Sequence, residues 1–106
     1  MKQLWAQDVH GKFADTAKLL DHFARHGGDF GAASASDYEQ MANDFLNDPR
    51  PTGVLDKTRA NGDTVRFNPA TQEFGIVKAD GTLRTYYKPD PLIHGFPSNM
   101  DYFNAQ

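Results

Sequence analysis

Four histidines and one basic, aromatic strand segment hold most of the acid–base and anion-binding chemistry in this 106-residue sequence. His22 and His26 lie four residues apart, a spacing that sets both imidazoles along one edge of a helix. On a helical wheel His26 stands about 70° from the centre of the apolar face of Leu19, Leu20, Phe23 and Ala24, and His22 about 110°. A half-buried imidazole at such an edge can take or give a proton near neutral pH. His94 follows in a later loop. The run RTYYKPDP brings Arg84, Thr85, Tyr86, Tyr87 and Lys88 together: cations, a hydroxyl and phenols that can hold a phosphate and stack a base. Arg66 falls on a neighbouring strand, on the face of Arg84. Two guanidinium groups at one spot repel unless they share an anion, which favours a phosphate there. The same residue types also suit solvated surface histidines and an ordinary strand with a polar outer face.

Other chemistries are excluded or disfavoured. With no cysteine, the sequence can have no disulfide, no thiolate metal site and no thiol nucleophile. HFARH has zinc-compatible histidine spacing but lacks the glutamate of H-E-x-x-H, and Asp29 or His94 would complete a site only if the fold brought it near. No metal and no cofactor is therefore expected. A phosphate-cradling P-loop, a G-x-S-x-G elbow and a close carboxylate pair are absent, against kinases, α/β-hydrolases and most glycosidases.

The elements that must position these residues follow from periodicity. Asp15 or Thr16 can cap a first helix, which Gly27-Gly28 stops by offering a left-handed C-terminus. Ser36 and Glu39 form a capping box for a second helix, with Tyr38, Met41, Ala42, Phe45 and Leu46 at helical spacing; Pro49 and Pro51 end it. From Val54 the period becomes two. Strands are predicted over 54–59, 63–67, 73–78 and 82–88, with Asn61-Gly62 and Asp80-Gly81 as hairpin turns and NPATQ between them.

This makes an α+β domain: N-terminal helices on a four-stranded antiparallel β-meander, with Val65, Phe67, Phe74 and Ile76 facing the helices. A two-residue turn at Asp80-Gly81 sets Ile76 opposite Thr85. It places Leu83, Thr85 and Tyr87 on the face of Phe74 and Ile76, and Arg84, Tyr86 and Lys88 on that of Thr64 and Arg66. Trp5 and Phe13 are expected to pack on the domain edge, and Ser98 with Asp101 to cap a short final helix.

The length suits one domain spanning residues 1–106, with residues 1–50 helical, 51–90 the antiparallel sheet and 91–106 a C-terminal loop and short helix. Net charge is −3, and the predicted sheet is the least acidic region. A mildly acidic chain disfavours non-specific duplex binding and leaves room for a small basic cleft. No apolar run approaches the roughly 20 residues that span a bilayer, and MKQLWAQDVH lacks the apolar stretch of a signal peptide.

Together, HFARHGGDFG, SDYEQMANDFL, NGDTVRFNPATQEFGIVKADGTLRTYYKPDP and HGFPSN resemble a C-terminal toxin domain of polymorphic bacterial toxins, of the contact-dependent inhibition and Rhs type. The resemblance covers about residues 17–100 and points to the barnase–EndoU–colicin–RelE-like ribonuclease folds. It implies a metal-independent endoribonuclease, often aimed at tRNA, that leaves a 2′,3′-cyclic phosphate. It also implies neutralisation by a cognate immunity protein and delivery from a larger secreted or cell-surface carrier into the target-cell cytoplasm. Carried onto this sequence, the helix-end histidine is His26, the basic–Thr–aromatic–aromatic–Lys–Pro run is Arg84 to Pro89, and the arginine before the turn is Arg66. His26, Thr85, Arg84, Lys88 and Arg66 are then the expected catalytic set, with His22, Tyr87 and His94 on the substrate-binding side. The alternative is a non-catalytic protein-binding module, immunity-type or phage-encoded, that uses the aromatic strand as its contact.

Overall fold

The computed structural model describes residues 10–106. Trp5 lies outside them. Helix α1, Thr16–His26, starts where the Asp15 side chain accepts from the Lys18 N–H at 2.8 Å. It does not stop at a left-handed Gly27. The chain tightens into a 3-10 turn, Gly27–Phe30, with Gly27 right-handed at φ −57°, and the left-handed residue is Gly31 at φ +65°. Gly27 serves close approach instead, since a Cβ there would sit 2.6 Å from the Phe23 ring. Helix α2, Ala35–Asn47, is capped by Ser34, whose hydroxyl accepts from the Asp37 N–H at 3.1 Å. The predicted Ser36–Glu39 box is not used. Glu39 accepts instead from the Phe13 N–H at 3.1 Å and ties the entry segment to α2.

Four strands follow: β1 Leu55–Thr58, β2 Thr64–Asn68, β3 Glu73–Val77 and β4 Leu83–Tyr87. They form one antiparallel sheet in the order β1-β2-β3-β4, the expected meander. Two short helices come after the sheet, α3, Pro91–His94, and α4, Asn99–Asn104; α4 is capped by Ser98 as predicted.

The last hairpin differs in register. Gly81, at φ +88°, closes a three-residue loop in which the Lys78 N–H donates to Thr82 O. A bulge between Ile76 and Val77 absorbs the extra residue. Ile76 therefore still faces Thr85, and Phe74 faces Tyr87, while Leu83 moves opposite Val77.

Both sheet faces are buried, where only the face of Val65, Phe67, Phe74 and Ile76 is expected to meet helices. Helix α2 covers Gly75, Val77, Leu83 and Tyr86 with Tyr38, Ala42 and Leu46. Leu46 approaches β3 so closely that a Cβ on Gly75 would lie 2.9 Å from its methyl groups. Val65, Phe67, Phe74 and Ile76 are buried as predicted, but on the other face, where Phe103 of α4 covers them. Phe13 packs at the sheet edge, bridged in parallel to Leu83. Among the described residues no helix is long and apolar enough to cross a membrane.

Candidate active site

The face of α1 that meets the domain is turned from the one the wheel suggested. Leu19 and Phe23 pack on the core while Leu20 is 52% exposed. The turn brings both helix histidines inward. His22 stacks on Phe13 with ring centroids 5.0 Å apart, and its Nδ1 is buried with no hydrogen-bond partner among the described residues. The His26 ring lies 6.0 Å further along and stacks on Tyr87 at 5.0 Å. Phe13, His22, His26 and Tyr87 thus form a column of rings from the core to the surface.

At the outer end of this column is a cavity of about 370 Å³. Helix α1 and its turn supply Arg25, His26 and Asp29. The exit of β4 supplies Tyr87, Lys88, Pro89 and Asp90, and the C-terminal helices Ile93, His94 and Tyr102. Burial holds His26 below the ordinary histidine range; Arg25 adds to this, and Asp29 and Asp21 oppose it. His22 is lowered by burial, then by Arg25 and His26. Asp29 Oδ2 stands 4.0 Å from His26 Nδ1 and accepts the Lys88 backbone N–H at 3.2 Å. The Lys88 ammonium hangs 5.7 Å from the centre of the Phe30 ring.

The opposite wall is fixed by hydrogen bonds. Asn99 Nδ2 donates to Pro89 O at 2.9 Å and to Gln72 Oε1 at 2.8 Å, so its Oδ1 must accept. His94 Nε2 donates to that oxygen at 2.9 Å, and His94 Nδ1 accepts from the Phe96 N–H at 3.1 Å. Both ring nitrogens are spent, which leaves His94 a wall rather than a proton carrier. Its ring stacks on Tyr102 at 4.3 Å, and the Tyr102 hydroxyl meets that of Tyr87 at 2.6 Å. Burial, then this hydrogen bond, push the Tyr87 phenol above its usual range, so it stays protonated. One Tyr87 ring face is taken by His26, and Phe74 leans on the ring at 55°.

Of the sequence-derived residues, His26, Lys88, Tyr87 and His94 meet in this cavity; His22 stands behind it. Thr85 lies one pleat back on β4, on the Tyr87 face, roughly 7 Å away. Arg84 and Arg66 pair with different carboxylates. Arg84, exposed in the bulge region, donates through Nε to the buried Asp63 at 2.7 Å, with Arg59 4.0 Å from the same oxygen. Arg66 is 6% exposed on the helix-covered face, held by both oxygens of Asp56 and by the carbonyls of Phe45 and Asp48. The bulge and the burial of both faces are what separate these two arginines. Sequence reasoning missed Arg25, Tyr102 and the role of Asp29 in this cavity. Arg25 and Asp29 flank His26 within three residues, a signal that could have been read. Nothing local marks Tyr102. Among the described residues no group of three or more His, Cys, Asp or Glu side chains stands ready to hold a metal.

No family model and no curated protein sequence matches the chain. Solved structures do. A ribonuclease from Escherichia coli, in complex with its inhibitor protein, superposes with a TM-score of 0.56 at 23% identity, over 81% of this chain and 95% of that one. The helices packed on a four-stranded antiparallel sheet thus make a ribonuclease-type fold.

Proposed function

We propose that the chain is an endoribonuclease whose active centre is the cavity between the end of α1 and the exit of β4. One observation carries the reading: the half-buried His26 is set beside a carboxylate, Asp29, in a cavity that two cationic residues, Arg25 and Lys88, also line. The ribonuclease-type fold supports it. The inhibitor protein bound to that neighbour supports a protein partner, in the manner of an immunity protein. The resemblance to polymorphic toxin domains supports tRNA as substrate and delivery by a larger carrier into a target cell.

In this reading His26, kept neutral by burial, takes the proton of a ribose 2′-hydroxyl. The freed oxygen attacks the adjacent phosphorus, the bond to the 5′-oxygen breaks, and a 2′,3′-cyclic phosphate is left. The departing 5′-oxygen takes a proton from the Tyr87–Tyr102 hydroxyl pair. Arg25 and Lys88 offset the charge gathering on the phosphoryl oxygens. Thr85 and Arg84, further back along β4, serve a flanking phosphate, and His22 props the His26 ring. These steps call on no metal.

The test is purified protein with total tRNA in EDTA. Fragments with cyclic phosphate ends are expected, and none from His26→Ala. The exposed Ile93, 85%, in the cavity wall and its neighbour Leu92, 94%, favour a second reading, a protein-binding module without catalysis. RNA left intact from about pH 5 to 8 would decide for that module.

A further inference from the structure

Asp29 joins the two elements that carry His26 and Lys88. One oxygen, Oδ2, accepts the Lys88 N–H at 3.2 Å and lies 4.0 Å from His26 Nδ1. We propose that Asp29 is the positioning residue of the site: its charge steadies the imidazolium that forms when His26 Nε2 takes a proton, and its oxygen fixes Lys88 relative to that ring. The catalytic consequence rests on the ribonuclease reading above; the pairing rests on geometry alone.

Other charges face His26, and none substitutes for Asp29. On α1, Asp21 is bonded to Arg25 at 2.7 Å, and His22 stands one turn back. From β4, Tyr87 stacks on the ring and Lys88 follows it. Across the cavity, Asp90 caps α3 by accepting the Leu92 N–H at 2.9 Å, and His94 and Tyr102 stack on each other. Among the described residues Asp29 has the carboxylate within ion-pair distance of His26. It is also the group that opposes most the loss of His26 basicity on burial.

Asp29→Asn separates charge from scaffolding, because the amide keeps an oxygen for the Lys88 N–H and nearly the same volume. His26 ring titration is followed by NMR on the full chain, beside tRNA cleavage across pH and urea unfolding. In Asp29→Asn the His26 midpoint should fall to lower pH and the acid limb of the rate profile should move with it. kcat/KM should drop about tenfold or more, with the urea midpoint held. Asp29→Glu should keep the charge and restore most of the titration. An unchanged His26 titration in Asp29→Asn overturns the proposal, whatever the RNA assay gives. A shifted titration in a protein whose wild type cuts no RNA upholds the pairing and overturns the ribonuclease reading instead.

Discussion

The rings of His26 and Tyr87 stack with centroids 5.0 Å apart and planes 25° from parallel. This contact fixes which way the imidazole faces, and a base in a fixed direction avoids reorientation at the moment of transfer. His26→Ala should lower tRNA cleavage about 10²–10⁴-fold. The ring is only partly buried, so far-UV circular dichroism should be unchanged and the urea midpoint nearly so. Cleavage at the wild-type rate would remove His26 from the chemistry.

Tyr87→Phe keeps the stack and deletes one hydroxyl of the 2.6 Å pair with Tyr102. If that pair protonates the leaving oxygen, kcat should fall while KM holds, since the interaction is made in the transition state. A fall in affinity alone would assign the hydroxyls to binding.

Arg66 belongs to stability. Arg66→Ala should cost about 2–4 kcal/mol, because it leaves two backbone carbonyls without their guanidinium partner and Asp56 with the more distant Arg50, 4.0 Å away. Lysine cannot reproduce the two-pronged contact and should rescue little. Chemical unfolding measures the loss. A stable but inactive variant would return Arg66 to the site.

Thr85→Val preserves shape and strand preference on the Tyr87 face. With Thr85 outside the cavity, the expected effect is a rise in KM on tRNA with kcat changed less than about tenfold. A collapse of kcat would show that the RNA path runs deeper along β4.

Acid should weaken the fold. His22 and His26 are both held below their ordinary value, 6.5, by burial. The unfolded chain therefore binds more protons as pH falls below about 6.5. The stability these two rings contribute is present above that value and is lost as pH falls toward their lowered folded values. Urea midpoints at about pH 7.5 and 5.5 should show the drop, and His22→Gln should reduce it.

Much of the fold was legible because its signals are local. Alternation and the Asn-Gly and Asp-Gly turns mark four strands, and Ser98 marks the last helix. The site was legible less evenly. His26, Tyr87 and Lys88 lie on predictable elements, and their meeting needs only that α1 reach the end of β4; His94, expected in a loop, ends the unpredicted helix α3 and joins them only because the C-terminal helices fold back. The Arg84 environment was not readable, since a three-residue loop and a compensating bulge differ from a two-residue turn by one residue. Arg66 looked like an exposed strand arginine because nothing local shows that α2 leaves two carbonyls over it. The histidines alter the apparent face of α1: a wheel counts them as polar, yet both lie in a ring column.

The parallel bridge between Phe13 and Leu83 has a consequence for assembly. Gly11 N–H donates to Gly81 O and Leu83 N–H to Lys12 O, at 2.9 and 2.8 Å, so the start of β4 is already partnered on its outer side. Helix α1 also packs against β4, with His26 stacked on Tyr87 at the strand's end. Strand addition by another chain is therefore blocked at this end of the sheet. Among the described residues it is left to the margin beside β1, a strand of four residues with Asp56 and Lys57 at its middle, where charge discourages a second strand. Self-association through open sheet edges, the usual hazard of a small β-meander, is thereby restrained at both margins.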